Sequence, residues 1–234
     1  MSRIDAYFDR SGRVRRPPYG RLWREALSFI FEFPTPPKPS EFAAGEGHVV
    51  LVIPGFLTPD MNTFPLRRFL AGCGYRAFGW GLGFNFGPTP RLIAGLERRF
   101  QECRNIAGGP ISVIGVSLGG LFARNLAFEH PKDIRQVITL VSPFRLPTAS
   151  TIEPLVRICA PFFSDEIDIQ RIGRPLPVPS TSVFTREDGL VAWETCLSEE
   201  PNGLPVEVKG KHVTICRNPS ALRTVGQRLV EMRG

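Results

Sequence analysis

The chain has 234 residues, 42% hydrophobic and 22% charged, with a formal net charge of +7 at pH 7. Those proportions suit one globular domain with a sizeable core and exclude a low-complexity or disordered chain. No apolar run approaches the ~20 residues that span a bilayer, and Met1 to Arg16 carries arginines without an apolar stretch, which argues against a secretory signal.

Much of the positive charge sits early, in Arg3, Arg10, Arg13, Arg15, Arg16, Arg21 and Arg24 against Asp5 and Asp9. No nucleic-acid-binding motif accompanies it, so nucleic acid is not an expected partner. The segment reads as a solvated basic tail or as peripheral contact with an anionic membrane through residues 1–33. Tyr19 to Phe33 has Leu22, Trp23, Ala26, Leu27, Ile30 and Phe31 at helical spacing. The simpler expectation is a helix packed on the body, burying Trp23 and Phe29; the sharper one is an interfacial helix with Arg21 and Arg24 on its polar side. Pro34 to Ser40 is an extended, proline-rich linker. Residues 1–44 are therefore expected to form an extension, and 45–234 the main domain.

From His48 strands and helices alternate, the pattern of a parallel sheet covered on both faces. The expected strands are Val49 to Ile53, Tyr75 to Trp80, Ile111 to Val116, Gln136 to Val141, Thr181 to Thr185 and Val206 to Val208. Helices are expected at Thr63 to Gly72, Arg91 to Cys103, Leu118 to Glu129, Leu190 to Leu197 and Pro219 to Met232, the last with Asn218 as cap. The five cysteines are odd in number, scattered and without a Cys-x-x-Cys pair, so no disulfide framework or zinc site is expected and a cytoplasmic location fits best.

One stretch organises the rest. The β-branched run Ile111 to Val116 ends in Gly115-Val116-Ser117-Leu118-Gly119, and a helical pattern follows at once. A serine in so sharp a turn is strained, and side chains at Gly115 or Gly119 would collide with the neighbouring strand and helix. The hydroxyl then projects from the carboxyl edge of the sheet, beside a helix amino terminus with free N–H groups.

These residues resemble the nucleophile elbow of the α/β-hydrolase superfamily. Val49 to Phe56, with Pro54-Gly55-Phe56 at its end, resembles the oxyanion strand and loop of lipase-like and esterase-like members. Gly79 to Gly83 and Arg186 to Trp193 are similar to segments of small bacterial lipase-like hydrolases. The resemblance spans about residues 46 to 233. It implies an α/β-hydrolase fold of about six parallel strands with helices on both faces. It also implies that Phe144 to Pro179, a Pro-rich insertion after a strand, forms the lid.

A serine hydroxyl needs a base, and the base needs an orienting acceptor. Of the three histidines, His48 precedes the first strand and lies at the opposite edge. His130 ends the helix that Ser117 begins, ~18 Å away at 1.5 Å per residue. His212 follows the last strand, at the serine's edge, and is the expected base. Asp188 follows Thr181 to Thr185 in an Asp-Gly turn. Ser117, Asp188, His212 is the α/β-hydrolase order, with Glu187 as the alternative acid. Asp165, Glu166 and Asp168 fall in the supposed lid and read as a solvated face. The residue after the nucleophile, Leu118, supplies one oxyanion N–H, and the resemblance implies Phe56 for the other. Leu57, Phe84, Phe86, Phe144, Phe162, Phe163 and Trp193 are candidate pocket residues.

The implied activity is hydrolysis of carboxylic esters, with lipophilic acyl groups favoured, through an acyl-enzyme on Ser117. The substrate is a small-molecule or lipid ester, and neither metal nor organic cofactor is implied. Acyl transfer, thioester cleavage or amide cleavage would use the same three residues. A rival of another class is a non-catalytic lipid-binding or scaffold member.

Overall fold

The computed structural model describes residues 16–147, 149–197 and 203–231. Six strands, β1 (Val49–Ile53), β2 (Arg76–Gly79), β3 (Ile111–Val116), β4 (Ile134–Leu140), β5 (Ser180–Phe184) and β6 (Gly203–Glu207), form one sheet in the order β2-β1-β3-β4-β5-β6. Every pairing is parallel. β1 and β3 are buried at every position, which is why they read as continuous apolar runs rather than alternating ones.

Helices α2 (Phe64–Gly72) and α7 (Pro219–Glu231) close one face around Leu66, Phe69, Leu70, Leu222, Val225 and Leu229. On the other face α3 (Pro90–Ala107) and α4 (Leu118–Glu129) pack Leu96, Phe100, Leu121, Phe122 and Leu126 against Leu51, Ile53 and Val113. Thr89 caps α3, its hydroxyl accepting from Leu92 N–H at 3.3 Å, and Gly108 ends it in the left-handed region at φ 66°. Strand order reverses between β1 and β3, so the carboxyl ends of those two strands flank a crevice, the usual ligand position in an open parallel sheet.

The insertion from 144 to 179 carries α5 (Glu153–Cys159), a 3-10 turn at Ala160–Phe162 and the short α6 (Ile169–Ile172). Its far end is tied to α4 by Arg124. That buried guanidinium donates to the Ile172 and Arg174 carbonyls at 2.7 and 2.6 Å and lies 4.1 Å from the Phe144 ring centroid. Asp165, Glu166 and Asp168 are exposed, and Asp168 caps α6.

Three expectations are corrected. The sixth strand runs Gly203–Glu207 rather than Val206 to Val208; it is an edge strand, where Pro205 is tolerated because no further strand needs its N–H. Leu190 to Leu197 is not a helix, and only Trp193–Cys196 makes a 3-10 turn. The N–H groups of Leu190 and Val191 are drawn instead to Asp188 Oδ1, at 2.7 and 2.8 Å, and Val191 bridges Ser150.

The third concerns the amino-terminal helix, α1 (Leu22–Phe31) after a 3-10 turn at Tyr19–Arg21. It packs on the body, but with its polar side inward. Glu25 and Ser28 are buried, whereas Trp23, Phe29 and Phe31 are 61%, 51% and 73% exposed. Backbone hydrogen-bond donors, rather than apolar side chains, face α1 from the body, so the helix turns its acceptors toward them. Residues 1–15, most of the expected basic tail, and Met232 lie outside the described residues.

Candidate active site

Ser117 stands at the carboxyl end of β3 with φ 50° and ψ −121°, a conformation that costs about 1–3 kcal/mol and persists only where the surroundings impose it. The surroundings here are backbone. Ser117 N–H donates to Leu140 O at 2.8 Å and Gly120 N–H to Ser117 O at 2.9 Å. A Cβ on Gly119 would meet the Pro54 carbonyl oxygen at 2.7 Å, and one on Gly115 would overlap the Gly119 carbonyl and Gly120 Cα. The two glycines allow β1, β3 and α4 to meet closely enough to present the hydroxyl.

His212 is buried, and its Nδ1 lies 2.8 Å from Asp188 Oδ2. Asp188 is also buried, and Oδ1 holds its own turn through the two N–H groups named above. One carboxylate oxygen fixes the loop and the other faces the imidazole. Burial acts to lower the pKa of His212. The Asp188 charge and hydrogen bond, with the Glu25 charge behind them, outweigh it and hold the imidazole above its ordinary value. Glu187 points elsewhere, accepting from Lys211 Nζ at 2.7 Å; that hydrogen bond holds its carboxyl below the usual range. The other two histidines are engaged at a distance, His48 with Ser112 Oγ and His130 with Glu97, each at 2.9 Å.

Phe56 follows the Pro54-Gly55 turn after β1, and Leu118 is the first residue of α4. Neither backbone N–H is engaged by another group among the described residues. The turn is braced by buried Asn85, which no motif singled out beyond its loop. Its Nδ2 donates to Pro54 O at 2.8 Å, its carbonyl accepts from Leu57 N–H at 2.7 Å, and its own N–H donates to Thr58 O at 3.1 Å. Leu57 takes φ 55° in this turn. An Asn in the loop after the second strand was the only signal in the sequence, and pattern does not tell it from a turn residue.

Two chambers meet at Ser117, sharing Phe56 and Ile152. One is walled by Leu121, Phe122, Val156, Phe163, Ile167 and Val191 and is almost wholly apolar. The other holds His212 with Thr58, Asn62 and Thr63, and Phe29 reaches it from α1. Of the seven pocket candidates, Phe163 lines the apolar chamber and the other six line neither. Leu57 is held in its turn, Phe84 and Phe86 stack on each other and are half exposed, and Phe162 is 71% exposed. Phe144 is buried under Arg124, and Trp193 stacks on Phe184 with Arg186 above it. Aromatic content alone did not separate rings facing the cavity from rings serving the scaffold. Among the described residues no three His, Cys, Asp or Glu side chains gather closely enough to hold a metal ion.

No protein-family model matches the chain. Solved structures do resemble it. A metagenome-derived lipolytic enzyme described with the LipS and LipT pair superposes with a TM-score of 0.58 at 15% identity, covering 82% of this chain and 96% of that one. A soluble variant of monoglyceride lipase from Saccharomyces cerevisiae gives 0.57 at 14% identity, covering 82% and 89%. The thioesterase domain from the curacin biosynthetic pathway gives 0.53 at 19% identity, covering 80% and 92%. At such identities the likeness speaks to architecture, and the chain has the α/β-hydrolase fold, in the form seen in lipases, esterases and thioesterases.

Proposed function

We propose that the protein is a serine hydrolase acting on carboxylic esters. The observation that carries this reading is a buried His212–Asp188 pair, 2.8 Å apart, whose imidazole borders the same chamber as a serine held at positive φ. A binding module has no need of all three. Ser117 attacks the ester carbonyl while His212 takes its proton. The tetrahedral oxyanion is received by the N–H groups of Phe56 and Leu118, worth about 3–4 kcal/mol per donor in such sites. His212 then returns the proton to the leaving alcohol, and water releases the acyl group by the same steps. Asp188 fixes the imidazole tautomer and stabilises the imidazolium.

The two chambers orient the substrate. The leaving group must lie on the side of His212, the more polar chamber, which assigns the apolar chamber to the acyl group and favours lipophilic acyl chains. Acyl transfer, or cleavage of thioesters or amides, uses the same residues and differs in what enters the second chamber. The test is labelling with a fluorophosphonate probe, followed by an ester panel from acetyl to long acyl chains. An adduct on Ser117 that Ser117→Ala abolishes, with turnover of esters, supports the reading. Absence of an adduct on the native protein sinks it.

A second reading concerns where the enzyme works. The outward side of α1 and its flanks exposes Tyr19, Trp23, Leu27, Ile30, Phe31 and Phe33, and Arg24 is exposed on the same helix. This supports peripheral docking on an anionic lipid surface. Among the described residues no helix is long and apolar enough to cross a membrane. Flotation with anionic and neutral liposomes tests it: binding to anionic vesicles that Trp23→Ala with Phe31→Ala weakens supports docking, and equal recovery without vesicles refutes it.

A further inference from the structure

We propose that Glu25, on the amino-terminal helix, is a positioning residue that holds the Asp188 and His212 loops in register with each other. The inference rests on the Ser117, His212 and Asp188 reading for its consequence, but its structural content is independent of that reading.

Glu25 is 2% exposed. Its Oε1 accepts the N–H of Gly189 at 2.7 Å and that of His212 at 3.2 Å, and its Oε2 accepts the N–H of Val213 at 3.1 Å. One side chain thus joins the residue after Asp188 to His212 itself and to its successor. Backbone N–H groups bonded to an ionised acceptor are held more strongly than by a neutral one. Left without it, three buried donors would be unsatisfied. The packing agrees: a Cβ on Gly189 would meet Glu25 Cγ at 2.8 Å and Arg21 O at 3.0 Å. Arg21, just ahead of the helix, donates to the Arg186 and Asp188 carbonyls at 3.1 and 3.3 Å, and Arg217 donates to the Ser28 and Phe29 carbonyls at 3.0 and 2.6 Å. α1 is therefore seated by polar contacts, with Glu25 at their centre.

The groups set around His212 are Asp188 from the turn after β5 and Glu25 from α1, with Arg21 bound to the backbone of the same turn. The Lys211–Glu187 pair flanks the loop. Cys196 and Cys216 are the buried thiols nearby, both pushed up by burial. The second negative group facing the imidazole is thus Glu25, whose charge favours the protonated ring.

The test compares full-length wild type, Glu25→Gln, Glu25→Asp and Ala26→Ser, a change at an exposed position of the same helix. Three quantities are read: kcat and KM on p-nitrophenyl butyrate, the pH profile of kcat/KM, and titration of the His212 ring by NMR. In Glu25→Gln the amide nitrogen opposes one of the three N–H donors and the charge is gone. The expected result is a kcat lower by about 10- to 100-fold with KM little changed, and a His212 titration moved to lower pH. Glu25→Asp, charged but shorter, should fall between in kcat and keep most of the titration. Ala26→Ser should match wild type. A folded Glu25→Gln with wild-type kcat and wild-type His212 titration overturns the proposal, as does a kcat loss without any movement of that titration. If Glu25→Gln does not fold, Glu25→Asp decides, and wild-type kcat there is the overturning result. Should wild type neither label at Ser117 nor turn over ester, the functional reading fails, while the NMR titrations still judge Glu25.

Discussion

Asn85 donates its side-chain amide to the carbonyl of Pro54 at 2.8 Å, from a position with no exposure to solvent. The bond ties the loop after β2 to the turn after β1, which carries the Phe56 N–H. Asn85→Ala removes the donor and leaves the Pro54 carbonyl buried without it. In the proposed mechanism the residue positions an oxyanion donor rather than touching substrate, so kcat should fall by about tenfold or more, short of the ~10²–10³ lost when such a donor is deleted outright. KM on a short ester should change little. Steady-state kinetics with a melting curve for each variant checks this, and an unchanged kcat would remove the Pro54–Thr58 turn from the mechanism.

Asp188→Asn should be severe for activity and mild for stability. Its Oδ1 accepts from Leu190 and Val191, so an amide there keeps its oxygen in that role and turns its NH₂ toward His212. The imidazole would then accept at Nδ1 and carry its proton at Nε2, the tautomer unable to act as base. A loss of about 10³–10⁴ in kcat is expected, with fluorophosphonate labelling slowed in parallel. Labelling at the wild-type rate would count against Asp188 as the acid.

The pH dependence follows from His212. As a base it must be neutral, and its pKa is raised, so kcat/KM should fall on the acid side through a value above the ordinary ~6.5. The same shift has a consequence for stability. A group whose folded pKa exceeds its unfolded one contributes stability that is full below the unfolded value and is lost as pH rises through the folded one. Between those two values the free energy of unfolding should decline with rising pH, and His212→Gln should flatten that slope. Urea titrations across neutral pH measure it.

In the proposed mechanism the apolar chamber takes the acyl group and so sets chain-length preference. Val156 on α5 and Phe163 form part of its wall. Val156→Trp should lower kcat/KM for octanoyl esters by about tenfold or more and leave acetyl esters nearly unaffected, since a few methylenes carry about 1–3 kcal/mol each of discrimination. An equal loss on both esters would place the acyl group elsewhere.

What could be read from the residues was whatever local sterics and strand order determine. Gly115 and Gly119 announce a close approach, and the fully apolar β1 and β3 announce buried parallel strands. The position of His212 after the last strand announces which edge it occupies. What escaped depends on contacts between segments far apart in the chain. Leu190 to Leu197 has helical spacing, but its first N–H groups are taken by the Asp188 carboxylate, a competitor that no local pattern contains. Phe144 and Phe163 are alike in type, and only the seat of Arg124 distinguishes the one in the core from the one at the cavity. Glu25 was overlooked because amphipathic reasoning assigns a helix's apolar stripe to the interior. Here the inward stripe is Glu25 and Ser28, with Arg21 just ahead of it.

That inverted helix bears on how the protein can be shortened. A version begun at the first strand would keep the serine, the imidazole and the carboxylate. It would leave the amides of Gly189, His212 and Val213 facing water instead of a fixed acceptor. Such a fragment would contain every residue of the proposed reaction and lack the proposed clamp on their spacing.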